Sequence, residues 1–213
     1  MLIEIYADFT CPWCHIGKRR LERALAERPR LPVEIRWLPF LLNPDLPPGG
    51  MDRQSYLAAK FGGLLRARDV HTVIEQTAAR DGVPLRLDLI RRTPNTLDAH
   101  RLVRLAEEAG LADRLVSLLF RAFFEEGQDI GNHRVLATLA GRAGLNPAEA
   151  YGHVRGDRDR QRVLAADERA KRLGVHSVPA FVFNRRYALG GAQDWTALVP
   201  MLDLAAEDAA LED

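Results

Sequence analysis

Cysteine is almost missing from this chain: 213 residues hold only two, Cys11 and Cys14. Two thiols three residues apart cannot build the disulfide framework of a small secreted domain. Lysine is scarce too, at Lys18, Lys60 and Lys171, so nearly all positive charge is arginine. Its 30 basic and 29 acidic residues leave a formal net charge of +1, which gives neither the basic face of a nucleic-acid binder nor an acidic tail. No apolar run nears the roughly 20 residues that a membrane-spanning helix needs. The N-terminus lacks the basic segment, apolar stretch and cleavage site of a signal peptide. The expected location is therefore the cytoplasm, with no membrane or nucleic-acid partner. The histidines (15, 71, 100, 133, 153 and 176) show no metal-ligand spacing, so no metal is expected.

What is present is enough apolar material, 47%, to bury a full core without staples. Leu2 to Ala7 alternates like a strand, with Ile3 and Ile5 on one face. Asp8-Phe9-Thr10 reads as a turn, with Asp8 first as the turn former and otherwise as a carboxylate close enough to affect thiol protonation. A helix from about Pro12 to Ala26 follows, with Cys14, Gly17, Leu21 and Leu25 on one face. Val33 to Leu38 alternates again. The opening is thus a βαβ unit with Cys11-Pro12-Trp13-Cys14 at its first helix start. In a reducing cytosol such a pair points to redox catalysis or to metal binding.

The Pro/Gly-rich stretch 43–50 marks a change of pattern. From Met51 to about Arg155 the periodicity is helical, with no convincing strand, and Gly110, Gly127 and Gly144 stand where helices should stop. A further helix over 158–173 precedes strands at Ala180 to Phe183 and Tyr187 to Leu189. A last helix carries Leu198, Met201 and Leu202, with Pro200 either opening or kinking it. Residues 208–213 read as a frayed acidic end. The order βαβ, helices, αββα predicts an α/β thioredoxin fold with a large all-helical insertion. The expected domains are 1–45 with 156–213, thioredoxin-like and discontinuous, and an inserted helical domain over 46–155.

The segment Asp8-Phe9-Thr10-Cys11-Pro12-Trp13-Cys14-His15-Ile16-Gly17 resembles the active site of the DsbA-like thioredoxin-fold oxidoreductases, specifically the FrnE-type branch. Three more stretches are similar to that branch: 94–102, 119–130, and 174–181 running on to Gly190-Gly191-Ala192-Gln193. The resemblance implies thiol–disulfide exchange. It also implies a cis Val178–Pro179 bond opposite the cysteines, leaving the Val178 backbone free to pair with an extended substrate. Asn95 reads by itself as the N-cap of the helix bearing His100; the resemblance would turn both toward the cysteines. Phe120, Phe123 and Phe124 read first as core, and by resemblance as cleft lining.

The residues suit that chemistry. A thiol at a helix N-terminus meets unpaired N–H groups and the positive end of the helix dipole. C-x-x-C thiols so placed fall to roughly 3.5–7.5 from about 8.5. Cys11 is thus expected to attack and Cys14 to resolve the mixed disulfide. Pro12 starts the helix without wasting a donor. Trp13 reads as exposed for stacking on substrate, or as packing. His15 reads as a solvated first-turn side chain, or as a group that favours a thiolate.

The expected activity is protein disulfide oxidoreduction on protein thiols or disulfides, or on a small molecule, by a monomer or homodimer. No bound cofactor is expected, the Cys11–Cys14 disulfide being the redox group; glutathione is a candidate reductant or co-substrate. With no third cysteine, recycling requires an external redox partner. The alternative is a glutathione-dependent isomerase or transferase of the 2-hydroxychromene-2-carboxylate isomerase or kappa type, relatives that typically place Ser at the position matching Cys11. A binding module using the helical cleft is a third reading.

Overall fold

The computed structural model describes residues 1–211, with side chains through Asp208. It opens with β1 (Leu2–Ala7), α1 (Pro12–Ala26) and β2 (Glu34–Pro39). A short strand, β3 (Met51–Asp52), leads into α2 (Arg53–Phe61) and α3 (Leu64–Arg80). Its partner β4 (Arg92–Thr93) leads into α4 (Leu97–Glu108). Four more helices follow: α5 (Ala112–Phe124), α6 (His133–Ala143), α7 (Pro147–Arg155) and α8 (Arg160–Arg172). The end is β5 (Ala180–Phe183), β6 (Tyr187–Gly190) and α9 (Trp195–Leu211).

The sheet runs β2-β1-β5-β6. β1 pairs parallel to β2, with Ile5 opposite Trp37, and antiparallel to β5, with Ile5 opposite Phe181. The alternation of β1 has a direct cause, because Ile3, Ile5 and Ala7 point into the core and are at most 1% exposed. The two isoleucines each contribute roughly 1.5–3 kcal/mol by leaving water. This is the thioredoxin arrangement, βαβ and αββα, with six α-helices (α2 to α7) and a small ribbon between its two parts. The buried core runs unbroken from Ile3 and Phe181 through Phe120 to Leu136 and Ala140 on the helices.

Three expectations need correction. The stretch 51–155 does contain strands: β3 pairs antiparallel to β4, Met51 opposite Thr93. Two residues are too few to leave a period-two pattern. Pro200 lies inside α9 and does not open it. That helix runs on through Leu211, where a frayed end was expected; Glu212 and Asp213 lie outside the described residues.

One glycine decides how α1 meets the sheet. A Cβ at Gly17 would stand 2.8 Å from Pro179 Cγ and 3.3 Å from Phe181 Cζ. The helix bearing the cysteines can rest on the start of β5 only because position 17 has no side chain.

Candidate active site

Cys11 is the N-cap residue of α1, with extended backbone (φ −87°, ψ 110°), and Pro12 is the first helical residue. No side chain caps this end and no acid stands in the first turn, so the positive end of the helix dipole is left toward Cys11. The turn is closed by the Cys11 N–H donating to Asp8 O at 3.1 Å, and the Cys14 N–H donates to Cys11 O at 3.0 Å. Both cysteines are free thiols. The Cys11 Sγ donates to the Val178 carbonyl at 3.5 Å, and the Val178–Pro179 peptide is cis. Residues 167 positions apart thus meet at the sulfur.

The two thiols differ. Cys14 is 1% exposed and Cys11 5%. Burial first, then the adjacent Cys11 sulfur, pushes the Cys14 thiol well above its usual range. Cys14 is therefore held protonated, behind Cys11.

Asp8 does more than form a turn. It is fully buried, and its carboxylate accepts four hydrogen bonds. Oδ1 takes the Thr10 N–H at 2.7 Å and the Thr10 hydroxyl at 2.6 Å. Oδ2 takes the Leu42 N–H at 3.0 Å and the Thr96 hydroxyl at 3.0 Å. Asp8 thereby ties the turn before Cys11 to the chain after β2 and to the start of α4. The local pair with Thr10 is readable from an Asp-x-Thr sequence; the partners 34 and 88 residues away are not.

The other expected residues divide. Trp13 is half-buried and packs between the main core and a smaller cluster of Ile16, Ile74, Ala78 and Val83. His15 is not a solvated side chain. Its exposure is 3%, its ring stacks on Phe124 with centroids 5.6 Å apart, and its Nε2 lies 3.5 Å from Glu125 Oε1. Burial foremost, then Arg19 and Lys18, lowers its pKa to about 4. As a neutral ring at physiological pH it puts no positive charge beside the thiols, which removes the electrostatic part of the tuning expected of it. His100 packs against Phe9 of the active-site turn, centroids 4.4 Å apart. Its pKa also falls to about 4 through burial, opposed by Asp8 and Asp167.

Asn95 caps from one position earlier than expected. The N-cap residue is Thr96, while Asn95 Oδ1 accepts the Leu97 N–H at 3.0 Å and its amide donates to Leu46 O at 2.7 Å. Its polar side-chain atoms join loop to helix and make no bond to either cysteine. Phe120, Phe123 and Phe124 are fully buried core residues. Among the described residues, no three His, Cys, Asp or Glu side chains form a group that could hold a metal ion, and no helix is long and apolar enough to cross a membrane.

Known proteins share this fold. The DSBA-like thioredoxin domain matches residues 2–203. The structure of a probable DsbA oxidoreductase from Streptomyces coelicolor superposes with a TM-score of 0.85 at 31% identity, covering 96% of this chain and 89% of that one. The uncharacterized protein YwbO of Bacillus subtilis (strain 168) is 28% identical over 198 residues, 89% of this chain and 90% of its own. A 2-hydroxychromene-2-carboxylate isomerase structure matches with a TM-score of 0.74 at 15% identity, covering 99% of both chains. At that identity the likeness speaks to the fold alone. With nearly its whole length matched and its two cysteines at the start of α1, the chain belongs to the DsbA-like thioredoxin family.

Proposed function

We propose that this protein is a thiol–disulfide oxidoreductase that cycles Cys11 and Cys14 between dithiol and disulfide. One observation carries the reading: the chain's two cysteines sit together at an uncapped helix N-terminus, the outer sulfur against the Val178 carbonyl and the inner one buried as a thiol. In the reducing direction the Cys11 thiolate attacks a substrate disulfide, forming a mixed disulfide and releasing one substrate thiolate, which takes up a proton. Cys14 then loses its proton and attacks the Cys11 sulfur. The Cys11–Cys14 disulfide forms, the second substrate thiolate leaves, and two electrons have passed to the substrate. Oxidation of a dithiol substrate is the same sequence reversed. An extended substrate would lie along the Val178 backbone. A second molecule, with glutathione as the simplest candidate, restores the starting state.

The burial that keeps Cys14 protonated delays the second step until a base removes that proton. Cys11→Ser should abolish reduction of insulin disulfides, and Cys14→Ser should accumulate a mixed disulfide visible by non-reducing electrophoresis. Full reductase activity in Cys11→Ser would sink the proposal. Glutathione-dependent turnover by the double Ser variant would favour the isomerase reading instead.

A further inference from the structure

Arg53, the first residue of α2, is 9% exposed. Its one side-chain hydrogen bond runs from Nη1 to the Thr93 hydroxyl at 3.1 Å. The Tyr56 ring lies 5.7 Å from its guanidinium carbon. Its Nε is buried with no partner, and among the described residues no carboxylate stands within ion-pairing distance. A guanidinium carries five N–H donors and keeps its charge in any protein environment. Removing such a group from water without an opposing charge costs several kcal/mol. The chain itself provides one neutral hydroxyl and a ring face against that.

The side chain lines a cleft of about 560 Å³ between α2, α3 and the segment before β4, and Arg68, Arg91 and His71 line it as well. Neither Arg68 nor Arg91 takes part in an ion pair among the described residues. Three acids, Asp52, Glu75 and Asp88, line the cleft too; two are engaged elsewhere, Asp52 capping α2 through the Ser55 N–H at 2.9 Å and Asp88 held by Arg86 in a fork at 3.0 and 2.9 Å. Glu75 is exposed on α3. Burial and the charge of Arg53 both hold His71 below its usual pKa, so the ring has the neutral form that can hydrogen-bond an anion.

We infer that this cleft is a binding site for a small oxyanion, a phosphate or a carboxylate group, whose oxygens take the unused donors of Arg53 while Arg68 and Arg91 add charge at its mouth. Guanidinium groups pair with both anions in the same two-pronged geometry. The site is separate from the cysteine chemistry. α3 joins the two regions, packing Ile74 and Ala78 on Ile16 and Trp13 while its Arg68 and His71 line the cleft.

The test titrates the full-length protein with inorganic phosphate and, in a second arm, with succinate, both at constant ionic strength in an amine buffer. Calorimetry and thermal melting are the readouts. Saturable binding with a rise in Tm is expected in at least one arm, and the arm that responds identifies phosphate or carboxylate as the preferred group. Arg53→Gln and Arg53→Met should weaken that binding at least tenfold, while Arg114→Gln, on the exposed face of α5, leaves it unchanged. Without anion, Arg53→Met should melt no lower than wild type, because it relieves an uncompensated charge. Three results would overturn the inference: no saturable binding in either arm, undiminished binding by Arg53→Met, or an Arg53→Met that melts lower in anion-free buffer. The insulin assay is not expected to change in these variants.

Discussion

The junction of α4 with α7 and the cleft between α2 and α3 each bury an arginine, and the chain treats the two in opposite ways. Arg101 is 1% exposed. It donates to the carbonyls of His153, Val154, Gly156 and Arg158 and to Asp98, at 2.6 to 3.1 Å. Those carbonyls are the unpaired ones at the end of α7 and just beyond it, so one side chain closes a helix terminus and fixes α4 against it. Arg53 is buried too, but meets a single hydroxyl. A buried charge that the chain saturates is part of the fold; one left with a neutral acceptor points outside the chain. Asp8 belongs with Arg101, since its two oxygens accept four donors.

That comparison can be broken in steps of falling size. Arg101→Met should cost about 3–5 kcal/mol, because it strips several buried acceptors of their donor at once. Urea unfolding measures it, and a loss within experimental error would mean the bonds at α7 do not carry the junction. Next comes acid. His15 and His100 have folded pKa values of about 4, against about 6.5 when unfolded. Between those values the unfolded chain binds more protons, so their contribution is complete above pH 6.5 and is lost as pH falls to about 4. Each is worth about 3 kcal/mol by the usual conversion of 1.36 kcal/mol per pKa unit. Urea curves at pH 7.5 and 4.5 should show that loss, and His15→Phe or His100→Phe should flatten it; variants that keep the full slope would contradict it. Asp8→Asn should cost about 2 kcal/mol, since an amide keeps the shape but turns a donor toward groups that already donate. A neutral result there would show that Asp8 is not the tie between the active-site turn and α4.

The parts that sequence made legible are those where local pattern and tertiary role coincide. Ile3 and Ile5 alternate because β1 has a buried face, and Pro12 with Cys11 marks a helix start wherever it occurs. The rest depended on partners far along the chain. His15 is buried by Phe120 and Phe124 of α5, so a first-turn histidine that would be solvated on an isolated helix is neutral here. Asn95 and Thr96 share the start of α4 because Asp8 recruits the threonine hydroxyl. Arg53 sits among many arginines, and nothing in its neighbours separates it from the solvated ones.

The Cys11–Val178 contact has a consequence for the order in which the protein is made. Cys11 leaves the ribosome 167 residues before Val178, and β5 follows only after that. Until then β1 has β2 along one side and an open edge along the other, the exposure that unpaired strands carry in growing chains. The nascent protein holds its two thiols beside that edge before their carbonyl neighbour exists. The reactive pair therefore gains its mature surroundings only when β5 closes along β1.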